Sequence, residues 1–363
     1  MPLNWIEQED NLGADMLTVR AQAQDVDDMD TLLHPALFPY QDTDSVELKN
    51  LVELDERLVA ERREWNARGR RMHISTPDLE EIEMIPLEVN FKVGEKEQQA
   101  LRERTLQNED LFRQQLRVSI PERVDRMPPA IFRRVEIEAM EALATGEITV
   151  RLPDKEDGSG NLVTSTVPLS FASERIQTAS TAWDDGSVNA YEENLSWLED
   201  AETMVGAIQG QILRRSTLRA IQEDAPHPMP GAQSGLRPTV SEVEEVLADE
   251  LGLGDYTFYT VENTFDPYTG AGNATASQKV WPDGYTSVVP QGGIVGATYR
   301  APVLRAMELA GQFPNAGIDT RGTTVYYDYE NGGRTAAVEC QANHMALPAE
   351  QRVFSIDTQV TTS

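Results

Sequence analysis

The sequence has a single cysteine, Cys340, in 363 residues. One thiol excludes an internal disulfide framework and fits a reducing compartment. Lysine is confined to Lys49, Lys92, Lys96, Lys155 and Lys279, while arginine is plentiful. Guanidinium forks suit bidentate contacts between proteins better than lysine does, although a biased genome composition gives the same pattern. The histidines, His34, His73, His227 and His344, are nowhere at metal-ligand spacing, and neither HExxH nor CxxC occurs. No phosphate-cradling GxGxxG or GxxxxGKS/T is present, and no GxSxG elbow. No apolar run approaches a membrane span. The stretch Met1–Asp10 lacks both a basic region and an apolar core, so it does not read as a signal peptide.

Positive charge is the other shortage. Against 61 acids stand 31 lysines and arginines, a formal net charge of -30. A sequence-reading nucleic-acid binder would carry a basic surface, so that class is excluded. Solubility and self-repulsion follow from the charge. With 40% hydrophobic residues, the chain is long enough to bury a core and build two or three subdomains.

The charges are unevenly spread. Residues 1–60 are acidic, 61–134 hold a basic band that includes Arg102, Arg113, Arg133 and Arg134, and acids dominate again from Glu223 to Asp266. Such a band is either a solvated helix face with intrachain pairs or a surface that meets the acidic regions of another copy.

Candidate chemistry is thin. Cys340 and His344 are four apart and could form a nucleophile–base pair, but the stretch alternates like a strand and a buried structural cysteine fits it better. Asp184-Asp185 could bind a cation or act as acid and base, yet adjacent acids beside a glycine usually form a solvated turn. The cluster Gly292, Gly293 and Gly296 reads as a loop between strands. No cofactor and no catalytic residue is assigned.

Periodicity gives the elements. Residues 1–45 read as an irregular acidic arm. Residues 46–68 read as a helix, because Leu48, Leu51, Leu54, Leu58 and Val59 recur at helical spacing. Two extended stretches follow over 70–93 around a turn at Ser75–Asp78. From Glu95 to Thr145 a narrow apolar stripe on a charged background predicts a long helix with one packed side, broken or restarted at Pro121, Pro128 and Pro129 and stopped by Gly146. A strand pair follows, Ile148–Leu152 with Leu162–Leu169, its tip at Asp157–Asn161. After a loop from Trp183, helix is expected over Asn194–Ala201, buried strand over Met204–Gly210 and helix over Ile212–Glu223. A proline- and glycine-rich loop, Ala225–Pro238, precedes a helix over Thr239–Leu251 capped by Thr239 or Ser241. Then come a strand at Tyr256–Val261, a loop at Asp266–Ser277 and a hairpin at 279–289. A longer hairpin at 323–342, with its turn at 330–333, and a last strand at Val353–Val360 complete the reading.

The order of these elements resembles the tailed-bacteriophage major capsid protein family, the lambda-type capsid class with the Hong Kong 97-like fold. Met84–Val93 looks like its extended loop, Arg133–Val150 like the end of its spine helix, and Val280–Pro290 and Arg352–Val360 like later strands. The resemblance covers roughly residues 70–363 and rests on order and spacing. The prolines at 121–129 depart from a continuous spine.

The resemblance implies an α+β fold. Its parts are an N-terminal arm and helix (1–69), an extended loop (70–94) and a peripheral domain with spine helix and β-hairpin (95–190). A mixed α/β axial domain (191–345) and a return strand to the peripheral domain (346–363) complete it. It implies self-assembly as hexamers and pentamers into an icosahedral shell around double-stranded DNA, contacted without sequence specificity. Scaffold, portal and decoration or cement proteins are the further partners implied. The location implied is the virion capsid, assembled in host cytoplasm, with no membrane. The inter-subunit residues expected are Leu87, Val89, Phe91, Arg102, Arg113, Arg133 and Arg134. Charge reversal at Arg133 and Arg134 is expected to impair assembly and spare folding. Two other classes remain: a nanocompartment shell enclosing protein cargo, and a cytosolic enzyme built on 191–345 with Asp184, Asp185, Cys340 or His344 in its site.

Overall fold

A computed structural model describes residues 33–45, 47–51, 79–84, 86–93, 123–153, 162–169, 171–226, 237–265, 278–312, 318–330 and 335–360. The chain opens with helix α1 (His34–Leu37) and strands β1 (Tyr40–Asp42), β2 (Glu47–Leu51), β3 (Leu79–Glu83) and β4 (Leu87–Val93). Helix α2 (Met127–Thr145) leads into β5 (Glu147–Pro153), β6 (Leu162–Pro168) and β7 (Ile176–Thr178). Then follow α3 (Ala190–Val205), β8 (Ile208–Leu213), α4 (Arg215–Asp224), α5 (Val240–Glu250), β9 (Thr257–Thr260), β10 (Thr264–Phe265) and β11 (Gln278–Lys279). The last elements are β12 (Tyr285–Pro290), β13 (Gly296–Ala301), α6 (Leu304–Gln312), β14 (Thr324–Glu330), β15 (Thr335–Pro348) and β16 (Ser355–Asp357). The architecture is mixed α+β.

Strand β15 organises the first sheet. Its first half pairs antiparallel with both β14 and β4, and its second half pairs with β13, which carries β1 in parallel. The second sheet runs β7-β16-β12-β8-β9. Two-stranded ribbons, β2–β3 and β5–β6, stand beside these sheets. The sheets cross the ranges expected from sequence: β15 pairs with β4 as well as with β14, and β16 joins β12 and β7.

Helix α2 packs against both sheets. Val135, Ile137, Met140 and Leu143 share one apolar cluster with Ile212, Trp281, Val289 and Ala346. Pro128 and Pro129 lie in its first turn, where a missing N–H costs no helical bond. Gly146 ends it in the left-handed region, φ 71°, its N–H donating to the Ala142 carbonyl. The expected restart and stop are therefore observed.

The expectation of one packed side on this helix is corrected for 127–145. Glu136 and Glu138 are buried together with the apolar residues, because the helix meets a sheet on more than one face. The stretch 94–122 lies outside the described residues.

Other expectations also change. Glu47–Leu51 is strand rather than helix, with β3 as its partner in register Leu48↔Ile82; 52–78, including the turn at Ser75–Asp78, lies outside the described residues. Met204 and Val205 belong to α3, and the strand begins at Ile208. Ile212 and Leu213 finish β8, so α4 starts at Arg215. Residues 279–289 form no hairpin: β11 pairs with β10, and β12 with β8 and β16. The final strand is shorter than expected, Ser355–Asp357. The expected hairpins β5–β6 and β14–β15 form, and Thr239 caps α5 in a reciprocal capping box with Glu242. Residues 1–32, most of the 225–238 loop, the loop at 266–277 and the tips at 157–161 and 331–333 lie outside the described residues.

Candidate assembly interface

Strand β4 holds Leu87 and Val89, both half-buried, in register with Ala342 and Cys340 of β15. Gln341 donates to the Glu88 carboxylate at 3.1 Å across that pair. Leu87 also packs against the cluster around α2. The expected extended loop is thus, over 87–93, a strand of the first sheet. Phe91 lies opposite Val338 in the same register. Arg102 and Arg113 lie outside the described residues.

Arg133 and Arg134 separate. Arg133 is exposed. Arg134 turns inward: its Nε donates to Glu138 at 2.6 Å and its terminal nitrogen donates to the Thr149 carbonyl. Thr149 is gripped twice more, its N–H donating to Glu141 at 3.2 Å and its hydroxyl donating to the same carboxylate. One residue of β5 is thereby laced to α2 through its amide, carbonyl and hydroxyl. Burial pushes the Glu138 carboxyl above its ordinary value; the Arg134 charge opposes this without overcoming it. Both expected arginines therefore lie on one helix, but only Arg133 presents itself outward.

The base of the β2–β3 ribbon is seated by Leu48 and Met84, which join Ala142, Ile148 and Met345 in a second cluster. The segment before it is fastened by side chains distant in sequence. Leu33 N–H donates to the buried Glu136 at 3.1 Å. Arg300 binds Asp42 at 2.8 Å, approaches Asp319 at 3.6 Å, and lies over the Tyr40 ring. Arg321 bonds Asp44 and donates to the Thr43 carbonyl at 3.3 Å. Gly296 lets Phe38 in, since a Cβ there would stand 2.7 Å from its ring. These fastenings were not foreseen from sequence, because the partners lie from 103 to 278 residues apart and no local pattern marks them.

Cys340 and His344 lie on β15, both buried. His344 Nε2 sits 2.9 Å from the Arg321 carbonyl and the ring packs near Tyr40 and Phe132. Cys340 is a core side chain in the centre of three paired strands. Asp184 and Asp185 are exposed, and Asp185 accepts from the Ser187 amide at 3.1 Å in a local turn. No group of His, Cys, Asp and Glu among the described residues could hold a metal ion. Gly292 and Gly293 lie in the loop between β12 and β13, and Gly296 opens β13.

Acids line the outer faces of α3 and α5. Glu192, Glu199, Asp200 and Glu202 are exposed on α3, and Glu245 and Asp249 on α5. Beneath them Tyr256 donates to Gln211 at 2.6 Å, and Gln211 donates to Asn194 at 2.8 Å, which closes a buried polar chain. Burial, with the Glu250 carboxylate accepting its hydroxyl, lifts Tyr191 well above the ordinary phenol range.

The fold is similar to that of phage capsid proteins. It aligns with the putative capsid protein of an E. coli CFT073 prophage at TM-score 0.48 and 11% identity, over 90% of this chain and 92% of that one. A phage-related protein from Bordetella bronchiseptica RB50 aligns at TM-score 0.48 and 12% identity, over 94% and 97% of the two chains. A virus-like particle protein from Pyrococcus furiosus aligns at TM-score 0.44 and 10% identity, over 93% and 98%. No protein-family model and no curated protein sequence matches the chain.

Proposed function

We propose that this chain is a structural shell protein of the Hong Kong 97-like class, one that assembles with its own copies as hexamers and pentamers into an icosahedral capsid around the double-stranded DNA of a tailed phage. The observation that carries the reading is the layout around α2. A single helix is wedged against two sheets, and two two-stranded ribbons leave that rigid centre. Ribbons present backbone and side chains to a neighbour without exposing the core, which suits a tile more than a pocketed enzyme. The acidic surface of α3 and α5 suits a wall that encloses nucleic acid without adhering to it.

Leu87, Val89, Phe91, Arg102, Arg113 and Arg133 are the proposed contact residues toward neighbouring copies. Arg134 leaves the set, since its charge is spent on Glu138 and Thr149. Scaffold, portal and cement proteins are the proposed accessory partners.

Electron microscopy of the expressed, purified protein tests the reading. Closed particles or capsomer rings are expected, and a monomer under every condition of salt and concentration would exclude it. Nucleic acid in particles isolated from cells supports a capsid, whereas packed protein cargo supports a nanocompartment. In the same assay Arg133→Glu is expected to lower particle yield while the protein still folds. Arg134→Glu is expected to fail earlier, at folding, because it places a second acid beside Glu138.

A further inference from the structure

Among the described residues only Ile294, Leu304 and Met307 are large apolar side chains left substantially in water. Two of the three sit on α6, three positions apart, and so on one helical face. Leu304 is 73% exposed and Met307 52%. The opposite face of α6 is spoken for: Ala306 and Leu309 are buried, and the helix lies on β14, with the Arg305 guanidinium over the Tyr326 ring. Gly311, one turn past Met307, has open space where a side chain would be. The outward face is therefore apolar, shallow and uncovered by any described part of the chain.

Charge decides what covers it. Two copies of a chain with net charge -30 repel one another over most of their surfaces. From Ala301 to Gln312 the only charged residues are Arg305 and Glu308, and they pair with each other at 2.6 Å. The helix is thus a neutral stretch of an acidic molecule, a place where like copies approach with less Coulomb repulsion than elsewhere. A second copy offers large apolar partners, within the described residues, mainly on its own α6.

We propose that the Leu304–Met307 face of α6 is a contact between copies of this chain, formed by like α6 faces meeting about a symmetry axis. The inference rests on the shell reading and names one of its interfaces. Two side chains fall far short of the roughly 1,000 Å² that a stand-alone pair buries. The contact thus works by repetition within a closed assembly, where each weak junction is reinforced by the others.

The experiment compares full-length wild type with Leu304→Asp, Met307→Asp and Met307→Cys by quantitative electron microscopy, light scattering and thermal melting. Each Asp variant is expected to lose tenfold or more in particle yield at fixed concentration. Both should melt within about 2 °C of wild type, since the replaced side chains face water. In particles of Met307→Cys, mild oxidation is expected to give disulfide-linked dimers on a non-reducing gel; the native thiol, Cys340, is buried and stays unlinked. Normal particle yield from both Asp variants overturns the proposal and leaves the shell reading standing. Intact Met307→Cys particles without linked dimers also overturn it. A wild type that never assembles removes the shell reading and this contact together.

Discussion

Gly146 sets the direction in which the chain leaves α2. Its φ of 71° turns the backbone straight into β5, and a Cβ there would come within 2.5 Å of the Ile176 side chain. An L side chain in that backbone region costs roughly 1–2 kcal/mol before any crowding. Gly146→Ala is expected to lower unfolding stability by about 1–2 kcal/mol, read as a shifted denaturant midpoint with unchanged slope. Thr149, three residues on, converts that turn into a fixed angle through its bonds to Glu141 and Arg134. The glycine was legible as a helix stop. The lacing was not, because a threonine in a strand gives no sign of which carboxylate will grip it.

At the level of elements, α2 carries an electrostatic cost. Glu138 is buried beside Arg134, and burial raises its pKa above the ordinary 4.5. In the window from 4.5 up to that raised value the folded chain holds a proton that the unfolded chain has released. Stability therefore falls as pH rises through the window and levels off above it. Glu138→Gln removes this titration. The difference in urea stability between wild type and Glu138→Gln is expected to decline with rising pH across that window; a flat difference would exclude Glu138 as its source.

Element type was readable where local chemistry agreed with tertiary structure, as in the Thr239 capping box and the β14–β15 hairpin. It failed at β2, where Leu48 and Leu51 fit a helical period, and pairing with β3 decided otherwise. It failed again between α3 and β8, where the apolar stretch at 204–213 carries no mark of where helix yields to strand. The burial of α2 was hidden for a related reason: Glu136 and Glu138 read as a solvent face until their partners, Leu33 and Arg134, are brought to them.

For the whole molecule, net charge sets the terms of association. Copies of a chain at -30 repel one another, and salt screens that repulsion over about 10 Å at 0.1 M. Particle yield is expected to rise between low and moderate ionic strength, measured by light scattering at fixed protein concentration. A yield that instead falls steadily with salt would mean that ion pairs between copies outweigh repulsion. The proposed α6 contact, being neutral and apolar, predicts the rising limb.

The place of β15 in the chain has a consequence for synthesis. Among the described residues, β4 and β14 pair only with β15, and β7 pairs only with β16. While the ribosome is still translating residues before 335, those earlier strands emerge with bare hydrogen-bonding edges. Neither sheet can close until β15 and β16 are made, so up to that point the nascent chain is an unfinished, adhesive intermediate. Premature stops ahead of β15 should therefore yield aggregates rather than small folded fragments. Under the proposed shell function, the same timing keeps half-made chains out of a growing particle.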